Sequence, residues 1–311
     1  MPETWRLGGG EERARAAIVG CGGAGCNTLR RVTLPLGAER IALNDVPHPS
    51  MVGLPARILA KAEPIKAVAS LQEKVVPTLA TNEEKDLASA LKDRDFVVIL
   101  GGLGGDFGGW ATGVVGRVAR ILGDTSLALV TTPFAAEGML RRQAAEAQLA
   151  ILRERVDGLV AFGNDELLRA FPQVPLTRAF GAMGSVMAKL AASLASVLAK
   201  SDLGPVKRIL GRTKEWRFGM GAGTEKHRCF LAVDEAYHSP WFPGRHEDVR
   251  QVIAVIEQPP QASFEDEVLH EIHLRSPLAD IAWSALSGSK ETDRVAVQIL
   301  AGLDLRHPAR I

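Results

Sequence analysis

Two glycine loops, each set between an apolar run and a helical pattern, constrain this chain more than any other feature. Ala16–Val19 is a compact apolar run that passes straight into Gly20-Cys-Gly-Gly-Ala-Gly25, and a helical pattern follows from Asn27 to Val32. Phe96–Leu100 is a second apolar run, of the length a buried parallel strand needs. It enters Gly101-Gly-Leu-Gly-Gly-Asp-Phe-Gly-Gly109, with a helical pattern from Ala111 to Leu122. Such loops let backbone N–H groups approach a phosphate, and the helix start beyond adds partial positive charge. The first loop satisfies G-x-G-x-x-G at Gly20, Gly22 and Gly25. Asn44-Asp45 follows about twenty residues on, where a ribose-reading acid stands in dinucleotide enzymes. Taken singly, this loop admits a nicotinamide or flavin protein, or a tight turn in an ordinary α/β domain. A dinucleotide domain has no need of the second loop. Two helix starts can converge on one polyphosphate at the carboxyl edge of a sheet.

Between and beyond the loops the pattern keeps alternating. A strand is expected at Arg40–Leu43, a Pro-punctuated loop at Val46–Pro64, and mainly helix over 65–93 with breaks near Pro77 and Thr81-Asn82. Then come a strand at Ser126–Val130, a turn at Pro133, a helix over 138–155 and a strand at Gly158–Phe162. The alternation predicts a doubly wound α/β sheet. Residues 176–200 are apolar with few charges and read as one helix buried on most sides. Residues 206–311 read as a smaller α+β domain, with strands at Val249–Ile256, Glu271–Leu274 and Arg294–Ala301 and helices near 225–238 and 262–270. The expected division is a polar leader (1–15), an α/β domain (16–175), a central helix and following loop (176–205), and a C-terminal α+β domain (206–311).

Composition removes several function classes. The 311 residues are 46% hydrophobic with a net charge of +1, enough for a full core and without an overall charge imprint for nucleic acid. Three cysteines, Cys21, Cys26 and Cys229, cannot build a disulfide framework, which points to a reducing, cytoplasmic setting. No run of 18 apolar residues encodes a membrane span, and Met1–Arg15 lacks the apolar centre of an export signal.

The motifs, in order and spacing over nearly the whole chain, resemble FtsZ within the tubulin superfamily. Ala17–Asn27 resembles the family's first nucleotide loop and Asp95–Gly105 the strand entering its signature loop. Val130–Gly138 resembles the next loop, with Arg141 in the phosphate-facing position after it. Val156–Leu168 resembles the strand and Asn-Asp turn below the base, and Arg178–Ala182 the start of the central helix. The resemblance implies a tubulin/FtsZ-like doubly wound nucleotide-binding domain, a long central helix and a smaller α+β C-terminal domain. It implies GTP or GDP as ligand, with Mg²⁺ as a candidate companion. The implied contacts are Gly22, Gly23, Asn27, Asn44, Gly104, Gly105, Asp106, Phe107, Gly108, Glu137, Arg141, Asn164, Phe180 and Ser185. Asp202 is the implied catalytic carboxylate, offered to the neighbouring subunit of a head-to-tail filament. Another FtsZ-like protein or a membrane adaptor is a further candidate partner.

The departures from the family pattern concern chemistry. The family's Asn-x-Asp-x-x-Asp after the central helix reads Lys200-Ser-Asp202-Leu-Gly-Pro205, so one carboxylate is replaced by proline. Groups that orient an attacking water are worth about 10²–10⁴ in rate, and slow or absent hydrolysis is expected. In the signature loop Asp106 replaces a glycine and Phe107 a threonine. Asp106 either faces phosphate or caps the helix beginning near Trp110. Ser185 stands where the family presents an Asp to guanine, which weakens base reading. The family's glycine-rich γ-phosphate loop is absent between Leu54 and Ala69, where Lys61, Glu63 and Pro64 lie. The tail after Ala301 is short for the linker and terminal peptide that FtsZ carries.

Four lesser signals each admit two readings. His270 and His273 suit one helix face and a metal, or a solvated surface. Trp241-Phe242 suits an exposed contact or packing under its own loop. The basic stretch Arg208–Arg217 suits a partner contact or solvent. Cys21 and Cys26 suit a crowded turn without redox chemistry. The expected function is an FtsZ/tubulin-like cytoskeletal protein. A nucleotide-silent scaffold of the same fold and a Rossmann-type NAD(P) oxidoreductase are the alternatives.

Overall fold

The computed structural model describes residues 2–8, 14–34, 38–71, 79, 81–198, 202–242, 246–288 and 293–303. It divides into two compact units, Ala14–Ala199 and a second one made of Met1–Arg13 with Lys200–Ile311. Strand β1 (Thr4–Arg6), inside the stretch read as a polar leader, belongs to the second unit.

The Ala14–Ala199 unit opens with β2 (Ala16–Cys21), all six residues buried, followed by α1 (Gly22–Leu29) and β3 (Glu39–Asn44). A 3₁₀ turn at Pro49–Met51, β4 (Ala56–Leu59), α2 (Ala62–Ala69) and α3 (Asn82–Ala90) come next. The glycine-rich half is β5 (Phe96–Gly102), α4 (Gly108–Leu122), β6 (Thr125–Thr132), α5 (Met139–Arg155) and β7 (Gly158–Gly163). Two helices close the unit, α6 (Asn164–Ala170) and α7 (Leu176–Leu198).

All six strands pair in parallel, in the order β4-β3-β2-β5-β6-β7. Apolar runs such as Phe96–Leu100 are continuous because both faces of a parallel sheet are covered. On one face α4 contributes Ala111, Val114, Val115 and Val118 to a core shared with β2, β5 and β6. Over Thr177–Leu198, α7 is long and apolar enough to cross a membrane, yet 61% of its most apolar window is buried within the protein, as in a core helix.

Two expectations about this unit differ from the structure. The helices after both glycine loops start earlier, at Gly22 and Gly108, because glycine is tolerated in a first turn whose N–H groups have no helical acceptor. The stretch Val46–Pro64 is not a continuous loop: it holds the 3₁₀ turn, β4 and the start of α2. β4 is four residues long, alternately exposed and paired to β3, so it shows neither a buried run nor a long alternation. The break at Thr81-Asn82 is the start of α3, where the Thr81 hydroxyl accepts the Glu84 N–H and Glu84 accepts the Thr81 N–H. The break near Pro77 and the tail beyond residue 303 lie outside the described residues.

The second unit contains α8 (Gly204–Leu210), β8 (Glu215–Thr224), α9 (Arg228–Tyr237), β9 (Val249–Gln258), α10 (Glu265–Arg275), β10 (Asp280–Ser287) and β11 (Arg294–Leu303). Its strands run β1-β10-β9-β11-β8, the first two pairings parallel and the last two antiparallel. Glu271–Leu274, expected as a strand, is the last part of α10. Val268 and Ile272, one helical turn apart, are buried, three acids occupy the first turn and His273 and Arg275 the last. Trp241 and Phe242 are buried, the packing alternative. Within the basic stretch Arg208 pairs with Glu3 at 3.7 Å and Arg212 with Asp280. His270 and His273 both lie on α10; among the described residues no group of three or more His, Cys, Asp and Glu is placed to hold a metal.

Candidate functional site

Strand order alone locates a site in the Ala14–Ala199 unit. Numbered within the unit, the sheet reads 3-2-1-4-5-6, and the crossovers leave in opposite directions from the first and fourth strands, β2 and β5. A crevice opens at the carboxyl ends of such a pair, and both glycine loops leave from there. The loops touch: a Cβ built on Gly22, whose φ is +69°, would stand 2.7 Å from Gly108 Cα. A Cβ on Gly25 would stand 2.3 Å from the Leu100 carbonyl oxygen, so only glycine lets α1 lie this close to β5. The N-cap residues of α1 and α4, Cys21 and Phe107, donate or accept no side-chain cap, and neither helix has an acid in its first turn. Two helix starts therefore meet with backbone N–H groups and dipoles unsatisfied by their own side chains, an arrangement suited to an anion.

At this junction lies a cavity of about 390 Å³ lined by Gly22, Gly23, Asn44, Gly105, Asp106, Phe107 and Gly108, with Glu137, Arg141, Asn164 and Phe180 around them. Arg141 reaches back one helical turn to Glu137, Nη1 to Oε2 2.5 Å. Asp106 does not cap a helix: α4 begins at Gly108 with Phe107 as N-cap, and the exposed Asp106 carboxylate lines the cavity. With Asp45 and Glu137 it makes three carboxylates against one guanidinium in the lining.

A second cavity, about 470 Å³, shares Asn164 and Phe180 with the first and runs between α1 and α7. Asn27 and Thr28 line it from α1, Arg31 from the turn just beyond that helix, and Gly181, Met183, Gly184 and Met187 from α7. Asn164 is 3% exposed, and among the described residues its Oδ1 has no hydrogen-bond partner, which makes it a buried acceptor. Phe180 is 51% exposed although its ring meets Phe134 edge-on at 4.9 Å, leaving a ring face open. The two cavities together offer an anion cradle, a buried polar junction and an aromatic platform, in the order in which a nucleotide presents phosphate, sugar and base.

Three of the sequence-derived residues are not in either lining. Gly104 is buried beneath its loop and gives its N–H to Gln148 Oε1 at 2.7 Å. Ser185 lies on the exposed side of α7, its hydroxyl donating to the Gly181 carbonyl at 3.0 Å. Asp202 belongs to the other unit, where its carboxylate accepts the Gly204 N–H at 2.8 Å at the start of α8. Lys61 and Glu63 line neither cavity.

Three residues of the site carry no sequence signal. Gln148, buried on α5, accepts from Gly104 and donates to the Gly105 carbonyl at 2.8 Å, clamping the second loop. His48 lines the first cavity, its Nδ1 against Ser50 Oγ at 2.5 Å. Arg31 lines the second cavity. Gln148 and Arg31 owe their places to contacts across forty or more residues, which leave no periodicity to read. Burial raises the Cys21 thiol well above its ordinary range and the Cys26 thiol to about 11, so neither is a thiolate nucleophile at neutral pH.

Comparison with known proteins agrees with this geometry. The Tubulin/FtsZ family GTPase domain matches residues 57–172, a span that holds the second glycine loop. A cell division protein FtsZ from Haloferax mediterranei is 32% identical over 233 residues, 72% of this chain. The match spans 62% of that relative's length, less than two thirds. An FtsZ dimer from M. jannaschii, titled empty, superposes with a TM-score of 0.82 at 25% identity, covering 94% of this chain and 89% of the other. CetZ2 from Haloferax volcanii, a GTPγS-bound protofilament, superposes with a TM-score of 0.69 at 16% identity, over 94% of each chain, a likeness of fold alone.

Proposed function

We propose that this chain, which is a divergent FtsZ-like member of the tubulin superfamily, holds GTP or GDP across its two glycine loops. It assembles head to tail into cytoskeletal filaments and hydrolyses GTP slowly or not at all. The observation that carries the reading is the meeting of the α1 and α4 starts at Gly22 and Gly108, both without side-chain caps. The N–H groups of Gly22, Gly23 and Gly108 bind phosphate oxygens, Arg141 adds the positive charge, Asn164 takes a sugar hydroxyl and Phe180 stacks on the base. Mg²⁺, when bound, would neutralise phosphate charge, and Asp45 and Asp106 are the cavity-lining carboxylates that would hold it.

A heterologous contact between the nucleotide face of one subunit and the Asp202 loop of the next propagates as an open filament. In that contact Asp202 is the carboxylate that orients water, and Pro205, in the first turn of α8, stands where the family has a second. The protein works in the cytoplasm, and another FtsZ-like protein or a membrane adaptor completes its assemblies. The three-to-one excess of carboxylates in the phosphate cavity favours a second reading, a nucleotide-silent scaffold of the same fold. Nucleotide extracted from the purified protein, followed by electron microscopy with and without GTP, separates them. Guanine nucleotide and GTP-dependent filaments are expected; no extractable or titratable nucleotide supports the scaffold.

A further inference from the structure

The base cavity carries a charge pattern that bears on which base it accepts. Among its lining residues there is no Asp or Glu, and Arg31 is the cation. The position of its guanidinium is set by two glycines of α7. A Cβ built on Gly184 would stand 3.1 Å from Arg31 Nη1, and one on Gly181 3.8 Å from Nη2. From the turn after α1, Nη1 donates back to the Asn27 carbonyl at 3.3 Å, and among the described residues no carboxylate pairs with Arg31. The guanidinium therefore lies across α7 at the wall of the cavity with donors to spare.

A guanidinium donates and never accepts. The N1–H and 2-amino groups of guanine are donors and gain nothing from it, whereas O6 and N7 are paired acceptors that suit its fork. Adenine presents an N6 donor beside N7, and two donors repel. The acceptors left at this end are neutral, the Asn27 amide and the Thr28 hydroxyl, each worth a single neutral hydrogen bond. Ser185 gives its hydroxyl to Gly181 and lines neither cavity.

Resting on the nucleotide reading above, we propose that Arg31 is the base-selecting residue and that it selects 6-oxopurines as a class. It reads the O6/N7 edge and leaves the 2-position unread, so guanine, hypoxanthine and xanthine nucleotides are equivalent ligands and adenine is refused. The test is calorimetric titration of the nucleotide-free protein with GDP, IDP, XDP and ADP. GDP, IDP and XDP should agree within about threefold, the worth of one neutral hydrogen bond. ADP should bind at least about tenfold more weakly. In Arg31→Ala the ADP penalty should collapse while binding of the phosphates persists. In Arg31→Glu a carboxylate should restore reading of the amino group, so that GDP exceeds IDP by about tenfold. GDP binding more than tenfold tighter than IDP to the unaltered protein overturns the selection and leaves the nucleotide site standing. An unchanged ADP penalty in Arg31→Ala overturns the assignment to Arg31. Failure of all four nucleotides to bind overturns the site itself, and the selection with it.

Discussion

Gln148 is 1% exposed and spends both ends of its amide on the second glycine loop, holding Gly104 and Gly105 by their main chain. A Cβ on Gly109 would strike this side chain at 2.0 Å, so glycine and glutamine fit as a pair. Removing the amide leaves a buried N–H and carbonyl unsatisfied, at a cost of about 1–3 kcal/mol. Gln148→Ala is expected to lower GDP affinity about tenfold with a smaller loss of thermal stability, as the loop loses its set position. An affinity unchanged by titration calorimetry would show that the loop holds itself. Cys26 gives a second test at this scale. Its thiol is raised by burial to about 11 from an ordinary 9, so the folded state keeps a proton that the unfolded chain releases. Stability owed to the thiol is complete below pH 9 and declines as pH rises toward 11. The urea-measured stability advantage of the unaltered protein over Cys26→Ala should shrink between pH 8.5 and 10.5; a constant difference would count against a buried neutral thiol. At this scale the sequence motifs already pointed to Gly22, Gly23, Gly108, Arg141 and Asn164, which the structure gathers in one cavity lining. Gln148 and Arg31 were not, since each acquires its part only when helices distant in sequence pack together.

Among the elements, β8 shows why some of the fold stayed hidden. Its residues Trp216, Phe218, Met220 and Ala222 alternate with Gly219, Gly221 and Gly223, and glycine depresses any strand signal. The structure gives those glycines a purpose. Cβ atoms built on Gly219, Gly221 and Gly223 would stand 2.0, 2.2 and 2.2 Å from carbonyl oxygens of α9, at Ala236, Ala232 and Arg228. The helix lies directly on the strand's backbone. Gly221→Val, favourable by strand propensity alone, is expected to destabilise the protein by about 3 kcal/mol through overpacking. Guanidinium unfolding checks this, and a neutral or stabilising result would mean that α9 lifts away freely. By contrast β2 and β5 were legible at once. Parallel strands covered on both faces leave long apolar runs, and glycine loops mark their ends. The misread end of α10 had the opposite fault: Ile272 and Leu274 alternate with polar residues over four positions, too few to distinguish a period of two from one of 3.6.

If the chain assembles as proposed, the rate of GTP turnover sets how long a polymer persists, and Pro205 is where that rate is open to change. Proline in the first turn of α8 costs the helix nothing, since its missing N–H would be unpaired there. An aspartate at the same place is also well tolerated, because acids in a first turn interact favourably with the helix dipole. Pro205→Asp thus adds a carboxylate beside Asp202 with a stability change expected within about 0.5 kcal/mol. If Asp202 is offered to the neighbour's nucleotide, a second carboxylate should help orient the attacking water. Phosphate release should then rise at least tenfold, and filaments sedimented after GTP addition should disassemble correspondingly sooner. Asp202→Asn in the same background should abolish the gain, tying it to the pair rather than to a general loosening of the loop. Rapid phosphate release by the unaltered protein, or no acceleration in Pro205→Asp at equal polymer mass, would show that turnover is limited elsewhere. The next place to look would then be the cavity between the glycine loops, where the Asp106 carboxylate is part of the lining.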